Sequence, residues 1–236
     1  MFDDFNKMVA ELSSIETMKN DFIANVSHEI KTPLSVIHSY AAALRDNSLN
    51  EEERREYAQT INEAAGKLST IVSNILKMNK LENQKIFPKA EAYCLSEQIR
   101  RCAASFADSW EQKNIGFEAD LDEVNVCYDE NMLEIVWNNL LSNAIKFTNP
   151  GGKITVSLKN KNGLAEVSVT DTGIGMDAET QKRAFEKFFQ GDTSRAGEGN
   201  GLGLSIVRKT VELMDGTVSA AGEPGRGSTF TVCLKI

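Results

Sequence analysis

The sequence of 236 residues has only four cysteines and no long apolar run, and each shortage argues against a class of protein. The four cysteines lie far apart and form no C-x-x-C pair, which argues against a structural zinc site or a disulfide framework and fits a reducing compartment. No stretch reaches the roughly 18 apolar residues of a membrane span. The acidic start MFDDFNKM does not resemble a signal peptide. We therefore expect a soluble, cytoplasmic segment.

The sequence also lacks an excess of basic residues. It contains 26 Lys and Arg against 34 Asp and Glu, which gives a formal net charge of −8. Nucleic acids bind to basic surfaces, so we expect no nucleic-acid partner. A bound nucleotide is compatible with this charge, because a single pocket can be positive on an acidic protein. The length allows one large domain or two small ones.

Glycine is almost absent from the first 83 residues, where apolar residues recur at steps of three and four. The two runs are Val26, Ile30, Leu34, Ile37, Ala41 and Leu44, then Tyr57, Ile61, Ala64, Leu68, Ile71, Ile75 and Met78. This spacing is typical of a coiled-coil seam, and DNSLNEEE between the runs predicts a turn followed by an acidic helix start. Two helices cannot bury such a seam alone, so we expect two hairpins to form a four-helix bundle, and hence a homodimer. The alternative is that the seam packs on the rest of the same chain.

Beyond a linker the pattern changes to alternating helices and strands. The sequence predicts helices over Leu95–Trp110, Glu130–Phe147 and Leu204–Met214, and strands over Ile115–Leu121, KITVSL, AEVSVT, TVSAA and STFTVCL. This order indicates an α/β domain in which helices cover one face of a mixed sheet.

The second predicted helix carries a polar triplet beside its apolar stripe. Asn139, Asn143 and Lys146 stand at i, i+4 and i+7, so they share one face. An amide oxygen suits Mg²⁺, and a lysine one turn away can hold a phosphate. The alternative is a solvated polar edge.

Two glycine-containing segments extend this pattern. In VSVTDTGIGM a strand runs into Asp171, which can accept a hydrogen bond from an exocyclic amine such as that of adenine, while Gly173 and Gly175 let backbone approach a ligand. The same D-x-G spacing also marks ordinary turns. In GEGNGLGLSIV, Gly199, Gly201 and Gly203 precede a helix, whose free N–H groups face an anion.

Other nucleotide-binding motifs are missing. The chain contains no G-x-x-x-x-G-K-[ST], no HRD and no DFG, and its glycines run G-x-G-x-G rather than G-x-G-x-x-G. We interpret the later GEPGRGST as a turn between strands. The polar segment between Met176 and Gly199 contains Phe185, Phe188 and Phe189, which predicts a lid docked by its aromatic rings. An ordinary loop with a short helix is the alternative.

The stretch SHEIKTPL holds one of the two histidines, His28. It is not a zinc-protease motif, because Thr32 stands where the second histidine is required, and His38 points about 80° away on a helix. His28 lies outside the apolar seam and is expected to face solvent, where most histidines are plain surface residues. Pro33, one turn away, predicts a bend that sets this imidazole apart.

Taken in order, FIANVSHEIKTPL, NNLLSNAIKFT, DTGIGM, FEKFF and GNGLGL resemble the phosphoacceptor, N, G1, F and G2 boxes of bacterial sensor histidine kinases of two-component systems. The resemblance implies a helical hairpin for dimerisation and phosphoacceptance, followed by an ATP-binding α/β sandwich of the gyrase/Hsp90/kinase/MutL (GHKL) type. FNKMVAEL resembles the end of a HAMP signalling helix, which implies the cytoplasmic part of a longer membrane protein. The expected division is a signalling helix at 1–20, the hairpin at 21–83, a linker at 84–94 and the catalytic domain at 95–236.

The resemblance also implies roles in the hairpin. His28 is the phosphoacceptor, and Glu29 holds the other ring N–H and accepts charge as the phosphoramidate forms. Thr32 forms with Glu29 the E-x-x-T arrangement that family members use to orient a water for dephosphorylation of their partner. The implied enzyme is therefore bifunctional.

In the catalytic domain the implied cofactors are ATP and Mg²⁺. Asn143 holds the metal, with Asn139 and Lys146 beside it. Asp171 selects adenine in a pocket shaped by Gly173 and Gly175. The residues expected to let the lid close over the phosphates are Gly199, Gly201, Leu202 and Gly203.

One position departs from the family pattern. Many relatives carry an arginine after the F box, where this chain has Gln190, and we expect Lys187 or Arg195 to supply the missing charge. The implied activity is ATP-dependent autophosphorylation of His28 and transfer to an aspartate of a response regulator. Two alternatives are a nucleotide-gated dimeric scaffold with little kinase activity and a free ATPase of the Hsp90/MutL kind. The intact SHEIKTPL argues against the second.

Overall fold

The computed structural model describes residues 2–46, 48–83, 89–191 and 200–236, without the side chains of residues 2–19, 21 and 83. The chain divides into two compact units, Met1–Leu76 and Lys77–Ile236. Helix α1 spans Phe2–Ala43 and helix α2 spans Glu51–Asn83, so the last turns of α2 belong to the second unit.

The turn between α1 and α2 is fixed by side chains that cap both helices. Asn50 and Glu53 exchange two hydrogen bonds of 2.8 Å, each side chain accepting from the other residue's backbone N–H, which is a capping box at the start of α2. The guanidinium of Arg54 donates to the carbonyl of Leu44, near the end of α1. These contacts satisfy backbone groups that a helix end leaves unpaired.

The hairpin leaves four large apolar side chains uncovered, of which Leu34 belongs to the predicted seam and Ile23, Val72 and Leu76 lie outside the two predicted runs. Ala64 and Ile71 are buried, whereas Ile23, Leu34, Val72 and Leu76 are 52, 52, 43 and 64% exposed. Ile23 and Leu34 lie about three turns apart and Val72 and Leu76 about one, so each pair shares a helix face. Among the helices described, none has the length and apolar content to cross a membrane.

The second unit contains two sheets. The strands are β1 Glu91–Cys94, β2 Gly116–Leu121, β3 Asn125–Tyr128, β4 Lys153–Lys161, β5 Leu164–Asp171, β6 Thr217–Glu223 and β7 Gly227–Lys235. Strands β1 and β3 pair alone, and the others form one sheet in the order β2-β4-β5-β7-β6. Among the strand pairs of the described residues, β2–β4 alone is parallel, so this sheet is mixed as predicted.

Helices pack against one face of the larger sheet. Their bounds are α3 Leu95–Ala104, α4 Ala107–Gln112, α5 Glu130–Phe147, α6 Ala178–Arg183 and α7 Gly203–Glu212. Every second residue of β4 from Ile154 to Leu158 is buried, and α5 contacts β5, α3 and α7. This alternation is what a sheet with one covered face requires. The predicted fold class, a helical hairpin followed by an α/β domain, is confirmed.

A buried glutamine ties α3, α5 and β1 together. The Oε1 atom of Gln98 accepts from the indole N–H of Trp137 at 3.0 Å and from the hydroxyl of Tyr93 at 3.1 Å. Its Nε2 donates to the carbonyl of Glu130 at 2.6 Å. Burial, followed by nearby acidic groups, raises the pKa of Tyr93. Every polar atom of this amide has a partner, so the network can stay in the core.

Two local predictions differ from the structure. The predicted helix Leu95–Trp110 is two helices, because the chain leaves helical geometry at Phe106 and the Ser105 hydroxyl donates to the carbonyl of Cys102. The break lets the Trp110 ring stack on Phe117 of β2, with ring centroids 4.3 Å apart. Residues Glu91–Cys94, at the end of the expected linker, form β1.

Candidate nucleotide-binding and phosphoacceptor sites

The imidazole of His28 is exposed on α1, as the seam pattern predicts. Thr32 donates its hydroxyl proton to the carbonyl of His28 at 3.2 Å, and Ser27 bonds the carbonyl of Ile23 in the same way. The helix continues through Pro33, which has no N–H to offer to the carbonyl of Glu29. The hydrogen bond from the Thr32 hydroxyl to the carbonyl of His28 therefore lies directly beside the backbone hydrogen bond that Pro33 cannot make.

Glu29 differs electrostatically from a surface carboxylate. It is half-buried, and the loss of solvation raises its pKa, while the charge of His28 acts in the opposite direction. A carboxylate that is harder to ionise is a stronger base once ionised. Beside an exposed imidazole, this is the environment that favours holding or accepting a ring proton.

The candidate metal and phosphate residues project from the C-terminal half of α5. Asn139, Asn143 and Lys146 are all partly exposed, as expected for one shared face. The amide of Asn139 donates to the carbonyl of Ile135 at 2.7 Å, and its oxygen lies 2.8 Å from where a Cβ on Gly203 would stand. The start of α7 therefore approaches α5 closely, and a side chain at Gly203 would clash there.

Asp171 ends strand β5 and is buried. Its Oδ1 atom accepts from the backbone N–H of Gly173 at 2.8 Å and from that of Ser228 at 3.3 Å. Burial raises the pKa of this carboxyl, and the two backbone donors act against the shift. The carboxylate is thus held rigidly at the strand end, which is what recognition of an exocyclic amine requires.

The glycines after Asp171 serve a purpose that the sequence did not reveal. A Cβ on Gly173 would lie 2.2 Å from the carbonyl oxygen of Phe147, and one on Gly175, where φ is +71°, would lie 1.9 Å from that of Glu223. The backbone that comes close is therefore the protein's own, at the end of α5 and the end of β6. The N–H of Ile174 also donates to Phe147 at 3.3 Å, which joins this loop to α5.

The sequence reasoning missed one contributor to this site. GEPGRGST does form a turn between β6 and β7, but it also packs against Asp171. A Cβ on Gly227 would lie 1.8 Å from the Asp171 carbonyl oxygen, and Ser228 donates to the carboxylate. Gly227, the first residue of β7, was the signal, since a glycine within a strand often marks a close backbone approach.

The F and G2 segments meet at a pair of left-handed residues. Phe188 and Gly201 have φ of +61° and +63°, and the N–H of Phe188 donates to the carbonyl of Gly201 at 2.9 Å. A Cβ on Gly201 would lie 2.6 Å from the Phe188 backbone. The Leu202 side chain is fully buried, and its N–H donates to the side chain of Asn200. Gly199 and Arg195 lie outside the residues described.

The residues near the F segment are held by aromatic and charged contacts. Phe185 packs edge-to-face on Phe230 of β7, with ring centroids 6.4 Å apart, and the guanidinium of Arg183 stacks over Phe189. These contacts fit aromatic docking of this segment. The ammonium of Lys187 lies 2.5 Å from the carboxylate of Glu82, in the last turn of α2.

The residues present fit a magnesium ion shared with a nucleotide. In the described ranges, no group of three or more His, Cys, Asp or Glu could hold a metal by itself. Mg²⁺ in phosphate-transfer sites is held by one or two protein oxygens, with phosphates and waters filling the other positions. The amide oxygen of Asn143 suits such a site.

Comparisons with known proteins agree with this geometry. Residues 18–84 match the family model described as His Kinase A (phospho-acceptor) domain, and residues 128–236 match the one described as histidine kinase-, DNA gyrase B- and HSP90-like ATPase. The heme sensor protein HssS of Staphylococcus saprophyticus is 32% identical over 231 residues, 98% of this chain and 50% of that protein. The chain spans about half the length of the curated relatives that it matches.

Two solved structures are similar along most of the chain. Full-length ShkA in complex with AMPPNP is 27% identical, with a TM-score of 0.68 over 91% of this chain and 45% of that one. Histidine kinase ThkA in complex with the response regulator TrrA has a TM-score of 0.78 over 94% of this chain and 63% of that one. At 23% identity, the likeness to ThkA speaks for the fold alone.

Proposed function

We propose, since the chain belongs to the family of sensor histidine kinases, that it phosphorylates His28 with ATP and passes the phosphoryl group to an aspartate of a response regulator. One observation carries the proposal. His28 is exposed in the phosphoacceptor domain, beside a carboxylate whose pKa is raised by burial. Neutral imidazole is a competent nucleophile near neutral pH.

The reaction needs few groups from the protein. An unprotonated ring nitrogen of His28 attacks the γ-phosphorus, the bond from phosphorus to the β,γ-bridging oxygen breaks, and ADP leaves. The ring gains positive charge, and Glu29 accepts a hydrogen bond from the other ring N–H or takes its proton. In the second reaction, a carboxylate oxygen of the regulator attacks the phosphorus and the N–P bond breaks. Such transfers depend mainly on alignment and charge neutralisation.

The second unit supplies the nucleotide site. Asp171 accepts a hydrogen bond from the adenine amine, and the backbone at Gly173 and Gly175 shapes the pocket around it. Asn143 contributes an oxygen to Mg²⁺, which neutralises phosphate charge when bound. Asn139 and Lys146 stand beside it on the same face of α5. The complex of ShkA with an ATP analogue supports this choice of nucleotide.

Three residues of the GNGLGL segment complete the phosphate side of the site. Gly201 and Gly203 bring the start of α7 close to Phe188 and Asn139, and the N–H groups there attract anions. Leu202 anchors the segment through its buried side chain. We assign the charge absent at Gln190 to Lys187, with Arg195 as the second choice.

The partners follow from the hairpin. Two copies bury the exposed leucines, isoleucine and valine of the hairpin in a four-helix bundle, so the chain acts as a homodimer. The partner for transfer is the receiver domain of a response regulator, which carries the aspartate that accepts the phosphoryl group. Thr32 and Glu29 orient a water that removes phosphate from that partner. The chain is the cytoplasmic part of a longer membrane sensor, which its coverage of half of HssS supports.

The labelling experiment tests the proposal directly. Incubation with γ-labelled ATP and Mg²⁺ is expected to give an acid-labile, base-stable phosphate on the protein. His28→Gln is expected to abolish the label. His38 is an exposed histidine on the same helix, and the control variant His38→Gln is expected to keep the label. Label retained in His28→Gln contradicts the assignment. ATP binding without label favours a nucleotide-gated scaffold, and phosphate release without a phosphoprotein favours a free ATPase.

A further inference from the structure

We infer that Lys113, a residue outside every motif of the chain, positions the nucleotide site by holding the C-terminal end of α5. The inference rests on the proposed function, since the site it concerns is the proposed ATP site. Lys113 is half-buried in the loop between α4 and β2. Its ammonium donates to the carbonyl of Ile145 at 2.8 Å and to that of Lys146 at 3.1 Å.

These two bonds complete the pairing of the helix end. The last four carbonyls of a helix have no intrahelical donor and need other partners. In α5, Ala144 accepts from the backbone and hydroxyl of Thr148, and Phe147 accepts from the N–H of Ile174. The two carbonyls between these, of Ile145 and Lys146, both accept a hydrogen bond from the ammonium of Lys113. A cation is also favoured there by the partial negative charge of a helix C-terminus.

The helix end that Lys113 holds carries the proposed ligands. Lys146 is one of the two residues whose carbonyls it binds, and Asn143 lies less than one turn before. The next carbonyl, of Phe147, accepts a hydrogen bond from the N–H of Ile174 and lies close to Gly173, in the loop that follows Asp171. A shift of this helix end would therefore move the metal and phosphate groups relative to the loop that follows Asp171.

The backbone of Lys113 strengthens the same junction. Its carbonyl accepts from the N–H of Gly151 at 3.1 Å, in the turn that leads from α5 to β4. The next turn residue, Gly152, bonds through its carbonyl to the N–H of Gly116. The loop is thus anchored on both sides, so the lysine stem starts from a fixed point and its ammonium can act as a positioning group.

The test compares nucleotide binding and rate in the whole chain. Lys113→Met keeps the stem length but removes the charge and donors. We expect a Kd for a fluorescent Mg²⁺–ATP analogue about tenfold higher, and initial His28 labelling at saturating ATP slower by about tenfold or more, because small misplacements of reacting groups are costly. The measurements are made at a temperature where circular dichroism shows the variant folded.

Lys159→Met is the matched control. The Lys159 ammonium also has two oxygen partners, Asp120 at 2.9 Å and Asp122 at 3.0 Å, but these are carboxylates at the sheet edge. Its Kd and labelling rate are expected to match the wild type. Lys113→Arg, which keeps charge and several donors, is expected to recover most of the affinity, whereas Lys113→Gln is not.

The outcomes separate this inference from the proposed function. If the wild type binds no nucleotide, the proposed function fails. If the wild type binds and Lys113→Met has the same Kd and labelling rate with only a lower Tm, the positioning role is overturned and Lys113 merely stabilises the fold. Should Lys113→Met not fold, equal affinities of the Arg and Gln variants overturn the inference, and recovery by Arg alone supports it.

Discussion

At the scale of single residues, two carboxyl groups in the described part of the chain have pKa values raised by burial, and both belong to candidate sites. Glu29 stands beside the exposed His28, and Asp171 ends β5 beneath the glycine turns. Carboxyl groups with raised pKa values cluster at functional sites, because a protein keeps them desolvated at a cost in stability. The raised pKa of each carboxyl group therefore leads to a separate prediction.

The first prediction concerns the pH dependence of labelling. Glu29 must be ionised to hold the ring N–H of His28, and its raised pKa means that it takes up a proton at a higher pH than an ordinary carboxyl does. The labelling rate is thus expected to fall on acidification through that raised pKa. Glu29→Gln is expected to slow labelling by about a hundredfold and to remove the part of the pH profile due to Glu29. An unchanged profile in this variant would show that Glu29 plays no such part.

The second prediction separates binding from folding at Asp171. A raised pKa in the folded state means that the ionised carboxylate opposes folding, increasingly so as the pH rises above the ordinary value of 3.8. Asp171→Asn keeps an oxygen for Gly173 and Ser228, so at neutral pH its Tm is expected to be at least that of the wild type. Its affinity for ATP is expected to fall about ten- to a hundredfold. A variant that loses Tm and binding together would assign Asp171 a structural role.

At the scale of elements, the sequence predicted best where a pattern was long. The bounds of α5 agree to the residue with the predicted Glu130–Phe147. A helix of eighteen residues shows a long apolar pattern, and the acidic cap at Asp129 marks where it begins. The break at Phe106 was missed, since no glycine or proline marks it and the stacking of Trp110 on Phe117 that accompanies it joins residues of two different elements. The pairing of β1 with β3 was missed because four residues hold too little periodicity.

Close approaches between distant segments were also hidden from the sequence. The sequence shows that the glycines near Asp171 are conformationally special, but it does not show which backbone segments pack against them. That depends on the end of α5 and the end of β6 meeting at Gly173 and Gly175. For the same reason no pattern singled out Lys113, whose partners lie more than thirty residues away.

The third prediction tests the amide that joins α3, α5 and β1. Gln98→Leu leaves the indole N–H of Trp137 and the carbonyl of Glu130 without this partner in the core, and is expected to lower the free energy of unfolding by about 2–4 kcal/mol. Urea unfolding followed by tryptophan fluorescence measures it, since both tryptophans lie in the second unit. Gln112→Leu, at the exposed end of α4, serves as the control and should change little. Equal stability of both variants contradicts the prediction.

The fourth prediction concerns the ion pair of Lys187 with Glu82. The pair is only partly exposed, and while it persists the ammonium is held by a carboxylate rather than by a phosphate. If Lys187 replaces the arginine absent at Gln190, Glu82→Gln should remove a carboxylate that competes for its ammonium and lower the Kd for ATP about two- to fivefold, the effect of an ion pair of up to about 1 kcal/mol. Lys187→Met should weaken binding, and the double variant should behave like Lys187→Met. A Glu82→Gln variant with unchanged affinity would leave Arg195 as the better choice.

At the scale of the whole molecule, the acidic composition and the exposed apolar side chains of the hairpin point to the same kind of assembly. A net charge of −8 keeps copies apart unless an apolar surface brings them together. Val72 and Leu76 supply such a surface one turn apart on α2, as Ile23 and Leu34 do on α1. Exposed apolar side chains of this size are otherwise a liability for a soluble protein.

The fifth prediction follows from that surface. Leu76→Glu places a charge on the most exposed of these side chains, and charge burial in a bundle core is unfavourable, so the variant is expected to be a monomer where the wild type is a dimer. Sedimentation equilibrium measures the mass, and Leu164→Glu, an exposed leucine of the second unit, is the control that should remain dimeric. Nucleotide binding should survive in the Leu76 variant, because the proposed ATP site lies wholly within the second unit. A wild type that sediments as a monomer would instead mean that the seam is not a dimer interface under these conditions, and the four-helix bundle would have to be given up.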